Sequence, residues 1–156
     1  MLHLALIEPE IPPNTGNIAR LCAATGSVLH LVGRLGFRIT DRTLKRAGLD
    51  YWPHVQLERH RDTELFWESV LNHNFYLFST RGRRAYTRVS YRDGDYLIFG
   101  RETTGLPSEI LERFADRALY IPMHGPVRSL NLSTAVGVAA FEALRQIRGE
   151  LWTDRE

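Results

Sequence analysis

A chain of 156 residues, 44% hydrophobic and 24% charged, has the make-up of one globular domain that buries a core without covalent staples. No run approaches the roughly 20 consecutive apolar residues of a membrane span, and the N-terminus lacks a basic segment followed by an apolar run and a cleavage site, so a cytoplasmic protein is expected. The single cysteine, Cys22, excludes an internal disulfide framework and a cysteine-cluster metal site, and its helical surroundings read as those of a structural thiol. The net charge is only +2, yet nineteen of the twenty basic residues are Arg, whose planar fork suits phosphate and stacks on bases. A codon bias would give the same excess, so clustering is the better guide.

In chain order, the first apolar run, Leu2 to Ile7, reads as a strand. It leads through IPPNTGNIAR, Ile11 to Arg20, into a helix marked by Ile18, Leu21, Cys22 and Thr25, with Asn14 or Thr15 as its cap. A second strand, Val28 to Val32, precedes a basic cluster from Arg34 to Arg46, and a weaker run at Val55 to Leu57 precedes another at Arg59 to Arg61. Leu65, Phe66 and Val70 give helical spacing within Asp62 to Asn72, and Phe75 to Phe78 reads as a strand. A third basic cluster, Arg81 to Arg92, lies before the strand Tyr96 to Phe99; together the three clusters sketch a path for RNA. GRETTG, Gly100 to Gly105, and the helix signal Leu106-Pro107-Ser108 follow, then a strand at Leu119 to Ile121 and a long helix from Asn131 to Arg148. Alternating strands and helices predict an α/β fold, a mostly parallel sheet with helices on both faces, because parallel strands need crossover connections. The apolar, small-residue face of the last helix suits the sheet and, in addition, a two-fold subunit contact.

Three loops carry the candidate chemistry. In Ile11 to Arg20, Asn14, Asn17 and Arg20 fall at or one turn beyond the end of a strand, where α/β proteins place ligands, and Arg20 suits a phosphate. In GRETTG two glycines bracket Glu102, which either bonds backbone amides or orients Arg20. In Ile121 to Gly137, Ser129, Asn131 and Ser133 alternate before a helix start, more polar groups than a cap requires. Neither the G-x-G-x-x-G fingerprint nor a P-loop occurs. The six His residues show no ligand spacing, so no metal is expected.

In this order and spacing, N-x-G-N-x-x-R, G-x-E-x-x-G and I-P-M with S-L-N-x-S resemble the signature of the SpoU branch of the SpoU and TrmD (SPOUT) methyltransferase superfamily. EPEIPPNTGNIARLCAATG and LKRAGLDYW, Leu44 to Trp52, resemble its small TrmL-type members, which modify the wobble nucleotide of transfer RNA. The resemblance implies a single domain over residues 1–156 with a C-terminal trefoil knot, S-adenosylmethionine as cofactor, and a homodimer pairing through the first and last helices. It assigns cofactor contacts to Phe78, Ser79, Gly100, Glu102, Gly105, Ile121, Met123, Ser129 and Leu130. Asn14, Arg20 and Ser129 become the catalytic set, and Asn14, Arg20, Arg83, Arg84 and Asn131 the contacts to a tRNA anticodon stem-loop. Two departures stand out: Arg101 where relatives commonly have Pro, leaving a looser loop or a new phosphate contact, and Phe141 where some carry Tyr. The implied reaction is 2′-O-methylation of the wobble ribose, cytidine or uridine. The alternatives are a ribosomal RNA substrate, a non-catalytic RNA-binding factor that keeps the knot, or a plain nucleotide-binding protein.

Overall fold

The computed structural model describes residues 1–40 and 51–154; most of Leu44 to Trp52 and the distal part of the Arg34 to Arg46 cluster lie outside them. Strands β1 (His3–Ile7), β2 (Val28–Val32), β3 (Gln56–His60), β4 (Phe75–Phe78), β5 (Arg84–Ala85), β6 (Tyr96–Phe99) and β7 (Ala118–Tyr120) form one sheet in the order β3-β2-β1-β6-β4-β7-β5. Every pairing in it is parallel. The carboxyl ends of all these strands therefore lie along one edge. Sequence reading missed β5, two residues long and without an apolar run, and placed β3 one residue early and too short, because only its first half looks like a strand.

The helices are α1 (Pro12–Thr25), α2 (Thr63–Val70), α3 (Ser108–Arg113) and α4 (Leu132–Ile147). Strand periodicity divides the core in two. Leu4 and Leu6 join Leu29, Leu31, Leu97 and Phe99 under α1 and α4, whereas Ala5 and Ile7 join Phe75, Leu77 and Ile98 under α2 and α3. Between α1 and α4 the fully buried Ala139, Ala140 and Ala143 permit close packing against Ile18 and Cys22. Burial pushes the Cys22 thiol up to about 12, so it stays protonated, a structural thiol. Gly137 meets no atom of its own chain that a Cβ would touch, so its small size is not used within this core.

The start of α1 departs from the expected side-chain cap. Its N-cap is Ile11, which has no capping side chain, and Asn14 and Thr15 lie inside the helix, both buried. Pro12 and Pro13 have no N–H, so two of the four donors that a helix start normally leaves open do not exist. The Asn14 amide closes back on the Ile11 carbonyl at 3.1 Å. At the other end Gly26 adopts the left-handed conformation, φ 67°, that ends the helix.

The parallel register also assembles a group that linear spacing conceals. His30 on β2 stands opposite Glu58 on β3, with His60 two residues further along the same face. His3 Nδ1 lies 2.8 Å from His30 Nε2, and His30 Nδ1 lies 2.9 Å from His60 Nε2. The rings of Tyr96 and Phe66 pack around them. Arg59, read from sequence as part of an RNA-binding cluster, turns inward instead: its guanidinium donates to the carbonyls of Leu31 and His60 at 2.9 and 2.6 Å and also to that of Gly33. It fastens the edge strand and is not available to a phosphate.

Burial, with the neighbouring His3 and His60, lowers the His30 pKa from 6.5 to about 3. The folded protein therefore holds it neutral, while the unfolded chain takes up a proton below about pH 6.5. Stability is complete above that value and is lost as pH falls toward 3, on the order of 2 kcal/mol by pH 5 from this group alone. Urea midpoints measured between pH 7.5 and pH 5 should fall accordingly, and the slope should be shallower in His30→Gln.

Candidate active site

Two of the motif loops and the end of β4 leave adjacent strands of the sheet: Phe78 and Ser79 end β4, Gly100 to Gly105 follow β6, and Ile121 onward follows β7, whereas the first motif loop, Ile11 to Arg20, follows β1. Between them lies a cleft of about 790 Å³, within the usual range for a small-molecule site. All nine residues assigned to the cofactor line it: Phe78, Ser79, Gly100, Glu102, Gly105, Ile121, Met123, Ser129 and Leu130. Phe99, Tyr120, Leu132, Thr80, Arg81, Val127 and Arg128 also line it and were not singled out from sequence. Phe99 stacks on Phe78 with ring centres 4.8 Å apart. Its signal was present, since it is the last residue of an apolar strand immediately before GRETTG.

The GRETTG loop is a tight excursion. The Gly105 amide donates to the Arg101 carbonyl at 2.9 Å and the Arg101 amide donates back at 3.2 Å. Gly105 takes φ 68°, a conformation that favours glycine. A Cβ on Gly100 would lie 2.1 Å from the Gly105 carbonyl carbon, so the loop closes only around a hydrogen.

Inside this turn, Glu102 connects all three motifs. Its carboxylate accepts from the backbone amides of Glu10 at 2.8 Å and Ile11 at 2.9 Å, and from Asn14 Nδ2 at 3.3 Å. Of the two roles open in the sequence, it bonds backbone amides and does not orient Arg20. Asn14 Oδ1 in turn accepts from Asn131 Nδ2 at 3.0 Å. Asn131 Oδ1 caps α4, accepting from the Ser133 amide at 2.9 Å and the Ser133 hydroxyl at 2.7 Å.

These bonds correct two assignments. The Asn14 side chain is buried and bonded through both polar atoms within its own chain, so it positions loops and does not face substrate. Asn131 is likewise engaged, which accounts for two of the three alternating polar residues and leaves Ser129 facing the cleft. The flanking carboxylates, unremarked in the sequence, add further ties: Thr103 donates its hydroxyl to Glu10 at 2.7 Å, and Arg101 Nε donates to Glu8 at 3.1 Å. The Arg101 departure therefore gives an ion pair with Glu8, neither a looser loop nor a guanidinium free for phosphate. Glu8 pays a local cost, since it adopts φ 48° without being glycine.

Arg20, Arg83 and Arg84 are exposed and do not line the cleft. Arg20 sits about 9 Å along the α1 axis from Asn14, at 1.5 Å per residue, with its guanidinium 5.9 Å from the centre of the Tyr51 ring. Arg83 and Arg84 stand at the edge strand β5, two and three residues beyond the cleft-lining Arg81.

An α/β sheet with a ligand cleft clamped at its carboxyl edge by three sequence-distant loops defines a site for a nucleoside-sized ligand. The SpoU rRNA Methylase family model matches residues 1–141, and the chain belongs to that family. A tRNA (cytidine(34)-2'-O)-methyltransferase of Escherichia coli K12 is 49% identical over 148 residues, 94% of each chain. The Photorhabdus asymbiotica protein of the same name is 48% identical over 153 residues, again 94% of each. A solved structure described as giving insights into the 2-OH methylation of C/U34 on tRNA superposes with a TM-score of 0.90 at 54% identity, covering 96% of this chain and 97% of that one. An AdoMet-bound rRNA methyltransferase from Sinorhizobium meliloti gives a TM-score of 0.80 at 29% identity, covering 92% of this chain and 56% of that one.

Asn131→Ala removes a helix cap and the bond to Asn14 together. The expected loss is about 1–2 kcal/mol in chemical denaturation, with a larger loss when Asn14→Ala is combined with it than a cap alone would give.

Proposed function

We propose that this chain transfers the methyl group of S-adenosylmethionine to the ribose 2′-hydroxyl of the wobble nucleotide in transfer RNA. The observation that carries this reading is the convergence of two separate motif loops, Gly100 to Gly105 and Ile121 onward, with the end of β4 on one cleft, and every residue assigned to the cofactor lies at its surface. The relatives bearing that name match nearly end to end. The ribosomal RNA methyltransferase neighbour is a longer protein, of which this chain covers 56%. A transfer-RNA substrate is therefore preferred over a ribosomal one.

The cleft suits the donor. Phe78, Phe99, Ile121 and Leu130 offer apolar walls for a purine, and the turn from Gly100 to Gly105 offers backbone polar groups. S-adenosylmethionine supplies, when bound, an electrophilic methyl group on a sulfonium. The chain's task is alignment, and fixing two reactants in line supplies on the order of 7 kcal/mol or more in favourable cases. The Glu102, Asn14 and Asn131 bonds hold the walls, and Ser129 faces the reacting ribose. Arg20 stabilises the developing alkoxide and the adjacent phosphate; a guanidinium is a donor-only cation and serves as a charge stabiliser, not a base.

Because Arg20 does not line its own chain's cleft, this role requires a homodimer that brings Arg20 of the partner subunit to it. The exposed Phe141 on α4, Leu151 and Trp152 just beyond that helix, and the unfilled space beside Gly137, supply the apolar, close-approach face for such pairing. Arg83 and Arg84 border the cleft as phosphate contacts for the anticodon stem-loop. The loops following β6 and β7 form the trefoil knot in this reading. The protein acts in the cytoplasm, and no helix among the described residues is long and apolar enough to cross a membrane.

Labelled S-adenosylmethionine should methylate a transfer RNA carrying a ribose at the wobble position, and incorporation should vanish when that nucleotide alone is 2′-deoxy. Unchanged incorporation would refute the assigned acceptor. In the same assay Arg20→Ala should lower single-turnover rate at least a hundredfold while changing cofactor affinity less than threefold. Mixed dimers of Arg20→Ala with a cleft-defective Gly105→Val chain should recover about one competent site in two.

A further inference from the structure

A second chemically distinct cluster stands on the other side of the sheet order from the cleft, where β2 pairs with the edge strand β3. We propose that His30, Glu58 and His60 form a binding site for a divalent transition-metal ion of the zinc or cobalt type, with a structural role at this edge.

The case is geometric. His30 Nδ1 to His60 Nε2 is 2.9 Å, His30 Nδ1 to a Glu58 oxygen is 3.4 Å, and His60 Nε2 to the same oxygen is 3.7 Å. A circle through three points at these separations has a radius of about 2.0 Å, which is that of one face of a tetrahedron with bonds of about 2.1 Å, the length of zinc–imidazole and zinc–carboxylate bonds. An ion about 0.7 Å out of the plane of the three atoms meets all of them at that length. Two imidazoles and one carboxylate are the borderline donor set that such ions take, with the fourth position left for water. Access is open on one side: His30 is 1% exposed, but Glu58 is 56% and His60 26% exposed.

The surroundings support ligation. The second nitrogen of His30 meets His3 Nδ1 at 2.8 Å, the outer partner that fixes the orientation of a metal-bound imidazole. Phe66 lies edge-on to His60 and tilted to His30, giving the site an apolar wall. Parallel register holds the three ligands on one face without any loop, so the site is formed before the ion arrives. With His30 protonated on Nε2 toward His3 and His60 protonated on Nε2 toward His30, ion binding needs only the shift of the His60 proton to its own Nδ1, so each ring stays neutral. The ion then bridges β2 to β3 beside the carbonyls already held by Arg59.

The test uses the tag-free, chelator-treated full-length protein titrated with Co²⁺ and followed by visible absorption. The expected result is one equivalent of cobalt with the intense ligand-field band of a tetrahedral site, displaced by Zn²⁺, lost in His60→Gln and weakened at least tenfold in Glu58→Gln. Both substitutions lie on the open side, and unchanged S-adenosylmethionine affinity and circular dichroism verify that the variants fold. Failure to bind cobalt, or an identical band in both variants, overturns the site. Neither result bears on methyl transfer.

Discussion

The structure depends on the carboxylate of Glu102. Its hydrogen bonds to the Glu10 and Ile11 amides and to Asn14 join the loop after β6 to the start of α1, and Asn14 passes the connection to Asn131 at the start of α4. Charge-assisted bonds of this kind are roughly twice as strong as neutral ones. Their effect is larger than their energy suggests, because they fix three loops that are separated by up to 117 residues in sequence. The cleft is the space left when those loops are held.

That constraint explains why polar residues typical of chemistry are spent on architecture. Asn14, Glu102 and Asn131 are the most motif-like residues of the chain, yet each is bonded to other groups of its own chain. The surfaces that face a ligand include glycine backbone, aliphatic and aromatic side chains, the hydroxyls of Ser79, Thr80 and Ser129, and the guanidinium groups of Arg81 and Arg128. A cleft of this kind suits a reaction in which alignment dominates and few groups exchange protons.

Much of the fold was legible because strand and helix periods are unambiguous in LALI, VLHLV, FYLF and YLIF, and alternation with helices dictates a parallel sheet. The residues that line the cleft came from the family resemblance; the strand ends that the sequence marks only place them at the carboxyl edge of the sheet. Other features depend on register. Nothing linear indicates that His30 and His60 share a face, that Arg59 turns in to cap carbonyls, or that β5 pairs with β7 through two residues. The start of α1 misled for a related reason. Asn14 looks like a cap, but the helix begins earlier, at Pro12, so Asn14 falls inside it and a carboxylate 88 residues away takes the side chain instead. The Arg101 substitution is absorbed the same way, by a Glu8 whose unusual backbone conformation is invisible in sequence.

The most direct measurement is calorimetric titration of S-adenosylmethionine into the wild-type protein and Glu102→Ala, with circular dichroism and thermal unfolding on the same samples. If the carboxylate builds the cleft, the variant retains its secondary structure, loses some stability, and binds the cofactor at least tenfold more weakly. A folded Glu102→Ala protein with wild-type affinity would contradict the account, because the cleft would then stand without the interaction said to hold it.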